Sequence, residues 1–172
     1  MAQEQTVTIR YLVFCGKHTP DGSMRSFNYR EQAPASLCVP HVDDGPRPDA
    51  DATGLFISSI VNRHNDEILL SQAWRCVTCD KPATEILHSA VPLLSPVADR
   101  ATADFEPTVM DNAAPICMSG GACDRAAEKT VHEFAKSALI QKPWQTWDMS
   151  KTCDRCAKKS GVKLCSGCKL IA

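Results

Sequence analysis

Four cysteines near the end of the chain have the spacing of metal ligands. Cys153 and Cys156 are separated by two residues, Cys165 and Cys168 likewise, and eight residues lie between the pairs. Thiolates are soft donors that suit Zn2+, and a C-x2-C turn lets both sulfurs reach one ion. Lys151, Arg155, Lys158, Lys159, Lys163 and Lys169 crowd this segment against Asp154 alone. Such positive charge lowers thiol pKa and partly offsets the negative charge of a metal–thiolate centre. The alternative is a pair of reduced turns that hold no metal.

A second constellation lies upstream. Cys76-x2-Cys79 is another knuckle, and Cys117-x5-Cys123 straddles Gly120-Gly121 with Cys123 at the start of a predicted helix. A knuckle joined to a ligand at a helix N-terminus is how treble-clef-like zinc sites are built, and the helix dipole favours a thiolate there. The long loop between the halves is no obstacle, because closure entropy grows slowly with length. His88 could replace one cysteine as a ligand. The competing reading is four buried free cysteines. A third set, Cys15-x2-His18 and Cys38-x2-His41, could make a Cys2His2 site if the two pairs meet. Otherwise Cys15 is a core strand residue and the histidines are exposed.

Catalytic signatures are sparse. Cys38 with His41, or His64 with Asp66, could be proposed as dyads, but sequence neighbours rarely form them. No Gly-rich phosphate loop, Gly-x-Ser-x-Gly elbow or HExxH helix occurs. His132, four residues after Glu128, reads as a surface residue of its helix. All-cysteine zinc sites are closed and structural, whereas catalytic zinc keeps an open position. The expectation is a protein that is not an enzyme.

Residues 153–168 resemble the first half of a MYND-type zinc finger, a family with two C-x2-C pairs at about this separation. In that family a Tyr-Cys follows about four residues later, then further Cys and His ligands. Cys153, Cys156, Cys165 and Cys168 match its first four ligand positions, and the chain ends at Ala172, where the Tyr-Cys would come next. The resemblance implies two cross-braced zinc ions, each sharing one of these pairs with a pair not present here. With half of each tetrahedron missing, the four sulfurs could instead gather on one zinc. It also implies an adaptor that binds short proline-containing peptides, often in transcriptional repression. Cys76-Val-Thr-Cys79-Asp-Lys-Pro82-Ala-Thr84 with Pro115-Ile-Cys117 is similar to a segment upstream of the finger in fungal MYND-containing proteins.

Composition agrees with an intracellular metalloprotein. Ten cysteines occur in 172 residues, and the N-terminus has no basic-then-apolar secretory pattern. In a reducing compartment paired cysteines are ligands more often than disulfides. Net charge is −1, which does not suggest nucleic-acid binding, although the basic tail keeps a nucleic-acid-binding regulator as the alternative. An enzyme of unrecognised type is the other. No apolar run reaches membrane-spanning length.

The elements expected to position these residues are few. Val7 to Phe14 alternates and then turns continuously apolar, which predicts a strand over 6–15. Pro20-Asp-Gly22 marks a turn, and 33–48 reads as a Pro-rich loop. Asp51 or Thr53 could cap a helix through Leu55, Ile57, Ile60 and Val61. The polar run 62–65 leaves open whether a second helix begins at Asp66. A strand is expected around 85–88, loop over 92–107 and a short extended piece at 115–118. Cys123 opens a helix with Ala126, Ala127, Val131, Phe134, Ala135, Ala138 and Leu139 on its apolar face, ended by Pro143.

The resulting expectation is an α+β protein: a segment 1–50 with a strand and a Pro-rich loop, a zinc-stabilised domain over 51–142, a Trp-containing linker over 143–150 and a partial MYND-like finger over 151–172. Zinc would supply folding energy that a modest core does not. The partner would be another protein.

Overall fold

A computed structural model describes residues 5–17, 24–40, 48–95, 105–138 and 147–148. Four strands form one sheet: β1 (Thr6–Gly16), β2 (Met24–Pro34), β3 (Glu85–Leu93) and β4 (Thr108–Ile116), in the spatial order β2-β1-β4-β3. A two-residue strand, β5 (Trp147–Asp148), pairs with Ser89 and Ala90 on the outer edge of β3. The β1–β2 and β3–β4 pairs are antiparallel, and β1–β4 is parallel. Among the described residues two α-helices accompany the sheet, α1 (Ala50–Leu70) and α2 (Ala122–Ala138). The chain is therefore mixed α and β. The sheet crosses the boundary drawn at residue 50, since β1 lies between β2 and β4.

Strand periodicity sorts side chains onto two faces. Ile9, Tyr11, Val13 and Cys15 of β1, with Ala90 of β3 and Val109 and Ala113 of β4, pack with Ile57, Ile60, Val61 and Ile68 of α1. Leu87, Ala114 and Ile116 form a second cluster with Ala127 and Val131 of α2. Each fully buried isoleucine of α1 contributes about 2 kcal/mol through loss of apolar surface to water.

Several expectations shift here. The cap of α1 is Asp49, whose carboxylate accepts from the N–H of Asp51 at 2.8 Å and of Ala52 at 3.2 Å. A single helix runs through the polar residues 62–65, and Leu55, expected on its apolar face, is exposed. Strand β2 is not among the expected elements and takes in Ala33 and Pro34, the first residues of the expected Pro-rich loop; its inward side is Phe27, Tyr29, Glu31 and Ala33, and the charge of Glu31 breaks the apolar alternation. β4 begins seven residues before the expected extended piece. On α2, Ala127 and Val131 are buried and Ala126 is exposed. That helix is described as far as Ala138, and Leu139 and Pro143, its expected last apolar residue and its expected terminator, lie outside the described residues.

The polar run of α1 survives because the sheet offers it polar partners. Arg63 pairs with the buried carboxylate of Glu31, and His64 Nε2 lies 2.6 Å from the same group. His64 also stacks on Tyr29, with ring centroids 3.8 Å apart. Deeper in, Asp111 of β4 is fully buried. Its Oδ2 accepts from the Tyr11 hydroxyl at 2.6 Å and lies 2.6 Å from His88 Nδ1, while Oδ1 accepts from the Ser89 N–H at 3.0 Å. His88 Nε2 reaches Asn65 Oδ1 of α1 at 3.2 Å. One carboxylate thus links β1, β3 and β4, and through His88 it reaches α1.

Two outcomes are expected. Asp111→Ala leaves Tyr11, His88 and the Ser89 N–H without their buried acceptor and should cost about 3 kcal/mol or more in urea unfolding, whereas Tyr11→Phe should cost about 1–2 kcal/mol. The second concerns alkaline pH. Burial, then Asp111, pushes the Tyr11 phenol well above its ordinary value of 10.0 and raises the Cys15 thiol above 9.0. Burial, then Glu67, pushes Tyr29 up to about 12. An acid with a raised folded pKa stabilises fully below its unfolded pKa, and that contribution is lost as pH rises toward the folded value. Stability should decline from about pH 9 upward, and Tyr11→Phe should flatten the decline, as read by chemical denaturation at stepped pH.

Candidate metal centre

Three pieces of chain meet beyond the end of β1. The first is the turn 74–83. The Cys76 N–H bonds to Lys81 O at 2.8 Å, the Asp80 N–H to Cys76 O at 3.0 Å, and the Ala83 N–H to Trp74 O at 3.0 Å. Asp80 sits at φ 60°, a left-handed conformation that Asp tolerates better than most residues. Trp74 ties this turn to the core: its ring is buried, and its Nε1–H donates to Ile68 O at 2.8 Å, at the end of α1.

The second piece is the end of β4. Pairing with β1 stops at Ala113, which leaves the Pro115 carbonyl free of the sheet on that side. The Val77 N–H takes it at 3.0 Å, and the Thr84 N–H takes Ile116 O at 3.0 Å. Pro115, lacking an N–H, fits a strand end where that edge needs no donor. The Thr84 hydroxyl then donates to Cys117 O at 3.0 Å.

The third piece is the first turn of α2. Gly120 at φ 68° bends the chain between Cys117 and Cys123. Its N–H donates to the Asp124 carboxylate at 2.7 Å, which ties the glycine turn to the first turn of the helix. Cys123 is the second residue of α2, and its carbonyl accepts from the Thr78 hydroxyl at 3.2 Å.

These constraints bring Cys76, Cys79, Cys117 and Cys123 together, with all four sulfurs within 4.8 Å of one another. The Cys79 and Cys117 sulfurs are 3.6 Å apart. A tetrahedral ion with metal–sulfur bonds near 2.3 Å needs sulfur separations of about 3.8 Å, so the cluster could hold a metal ion with small adjustments. Cys76 is buried, Cys117 and Cys123 are half-buried, and Cys79 is exposed.

Electrostatics points the same way. Burial alone pushes the Cys76 thiol up, but the N–H groups of Cys79, Thr78 and Cys117 and the Cys79 thiol outweigh it and bring Cys76 down to about 6. Its neighbours go the other way. The hydrogen bond with Cys79, then burial, raises Cys117, and the bond with Cys79, then burial and Cys117, pushes Cys123 up to about 12. One thiolate is favoured and further ionisation is resisted, the penalty that a bound cation removes.

The remaining candidates lie elsewhere. His88 turns its nitrogens to Asp111 and Asn65 on the face covered by α1, so it does not stand in for a cysteine at this centre. Cys15 is buried in the α1-facing core, and Cys38 is half-buried against it. His18 and His41, the histidines of that candidate Cys2His2 site, lie outside the described residues, as do Cys153, Cys156, Cys165 and Cys168. The sequence reading missed the Asp111–His88–Tyr11 network and the Glu31–His64–Arg63 cluster. Asp111, alternating with Val109 and Ala113, is a polar residue within an apolar stripe and carries such a signal; Glu31, in the polar strand β2, does not.

The turn itself is testable. Asp80→Gly should raise thermal stability by up to about 1 kcal/mol, and Asp80→Val should lower it by about 1–2 kcal/mol, because at positive φ Gly has no steric cost, Asp a modest one and a β-branched residue a larger one. Compared with protein-family models, with curated proteins and with solved structures, the chain matches none.

Proposed function

We propose that Cys76, Cys79, Cys117 and Cys123 bind one structural Zn2+ in a treble-clef-like arrangement, and that the chain is an intracellular protein–protein interaction module rather than an enzyme. The observation that carries this reading is the convergence of four sulfurs from a knuckle, a strand end and a helix start. Soft, four-sulfur coordination favours zinc, and such a closed set leaves no open position for substrate. Zinc ligation here locks the 74–83 turn, β4 and α2 together, so metal binding is coupled to folding. A reducing compartment keeps the thiols available as ligands.

The interaction role rests on the resemblance of residues 153–168 to the first half of a MYND-type finger. In this reading the sheet-and-helix body is a scaffold, and the partner is a protein presenting a short proline-containing segment. The four tail cysteines bind further zinc.

Native mass spectrometry and chelation test both parts. A full-length variant with Cys153, Cys156, Cys165 and Cys168 changed to Ser should retain one zinc. Adding Cys76→Ser should abolish it, and the unmodified chain should carry more than one ion. Exhaustive chelation should lose helix and sheet signal by circular dichroism; an unchanged melt with the metal verifiably gone would remove the structural-zinc reading. Fluorescence polarisation with short proline-containing peptides should show saturable binding to the loaded chain that disappears on chelation. No binding by zinc-loaded protein across such a peptide set sinks the adaptor reading alone.

A further inference from the structure

The four sulfurs are not equivalent. Cys76 is fully buried beneath its own turn, whereas Cys79 faces solvent. The Cys79 and Cys117 sulfurs are 3.6 Å apart, on residues thirty-eight apart in sequence. A disulfide requires its sulfurs to approach to about 2.05 Å, so this pair must close by roughly 1.5 Å. The two sit on pieces already held in register by the Val77–Pro115 and Thr84–Ile116 backbone bonds. The knuckle partner of Cys79 is Cys76, which an oxidant in solution does not reach directly.

We propose that the centre is a redox switch in which peroxide converts Cys79 and Cys117 to a disulfide and expels the metal. The inference rests on the zinc reading above. The exposed Cys79 thiolate attacks one peroxide oxygen, the O–O bond breaks, and sulfenic acid and hydroxide form. The Cys117 thiolate then attacks the Cys79 sulfur, the S–O bond breaks, and a second hydroxide leaves. Two sulfurs lose two electrons, one peroxide gains them, and the buffer's acid protonates both hydroxides to water. The zinc bonds to Cys79 and Cys117 are lost, so only Cys76 and Cys123 remain as ligands and the ion departs. The new S–S bond keeps the turn on β4, but Cys123 loses its metal tie to both. The start of α2 is the element released, retaining the Thr78–Cys123 contact. Reduction by a dithiol with zinc present restores the centre.

The test uses the full-length chain with its four tail cysteines changed to Ser. Native mass spectrometry first establishes one bound zinc. Hydrogen peroxide is then titrated while a chromophoric chelator follows zinc release and non-reducing peptide mapping locates the oxidised pair. The expected result is one zinc released per peroxide consumed, a Cys79–Cys117 disulfide, and faster amide exchange at 122–126. Cys79→His offers an imidazole ligand in place of the reactive sulfur, and its peroxide-driven release should slow about tenfold. A disulfide between Cys76 and Cys79 or between Cys117 and Cys123, or release from Cys79→His at the wild-type rate, overturns the switch while the zinc reading stands. Absence of zinc before any oxidant is added overturns both.

Discussion

A carboxylate with no exposure to water has to be satisfied where it stands, and Asp111 is the group on which this architecture turns. It occupies the middle of β4, between β1 on one side and β3 on the other. The Tyr11 hydroxyl, the His88 imidazole and the Ser89 N–H converge on its two oxygens, and Asn65 continues the chain of contacts into α1. Leaving any of these buried groups unpaired costs more than pairing it yields, so the network discriminates against alternative registers. A one-residue slip of β4 would turn Asp111 to the opposite face and leave Tyr11 and His88 facing Met110 or Asn112.

The same strand carries the candidate metal centre at its far end. β4 outlasts β1, and the unpaired carbonyl of Pro115 becomes the landing place of the 74–83 turn. Whatever fixes the register of β4 therefore also fixes where Cys117 meets Cys76 and Cys79. Trp74 closes the loop mechanically: it is buried in the core that contains Asp111's neighbours and is hydrogen-bonded to the end of α1. The core and the sulfur cluster are two ends of one connected structure. In the zinc reading they divide the labour, with apolar burial stabilising the α1 face and coordination anchoring the shorter α2 face.

The burial gradient across the sulfurs gives that second anchor an asymmetric character. Cys76 is sheltered and its thiolate is favoured by surrounding N–H groups, while Cys79 stands at the surface. A centre with one sheltered and one exposed ligand is firm in a reducing environment and open to chemistry from one side. No described helix is long and apolar enough to cross a membrane.

Local chemistry in the chain announced some features outright. The knuckle Cys76-x2-Cys79, the glycine turn between Cys117 and Cys123, β1 and the helix from Cys123 depend on neighbours within a few residues, and spacing alone carries them. Strand β2 was hidden because Glu31 sits at an inward position and looks like loop polarity until Arg63 and His64 are brought to it. The polar run in α1 resembled a break for the same reason: its partners are on the sheet, more than twenty residues away. The sequence by itself determined which residues could ligate a metal and the local turns that present them. Only the tertiary structure decided that the two halves meet, that His88 serves Asp111 rather than the sulfurs, and which sulfur faces water, because strand register and burial arise from contacts between segments that no local pattern encodes.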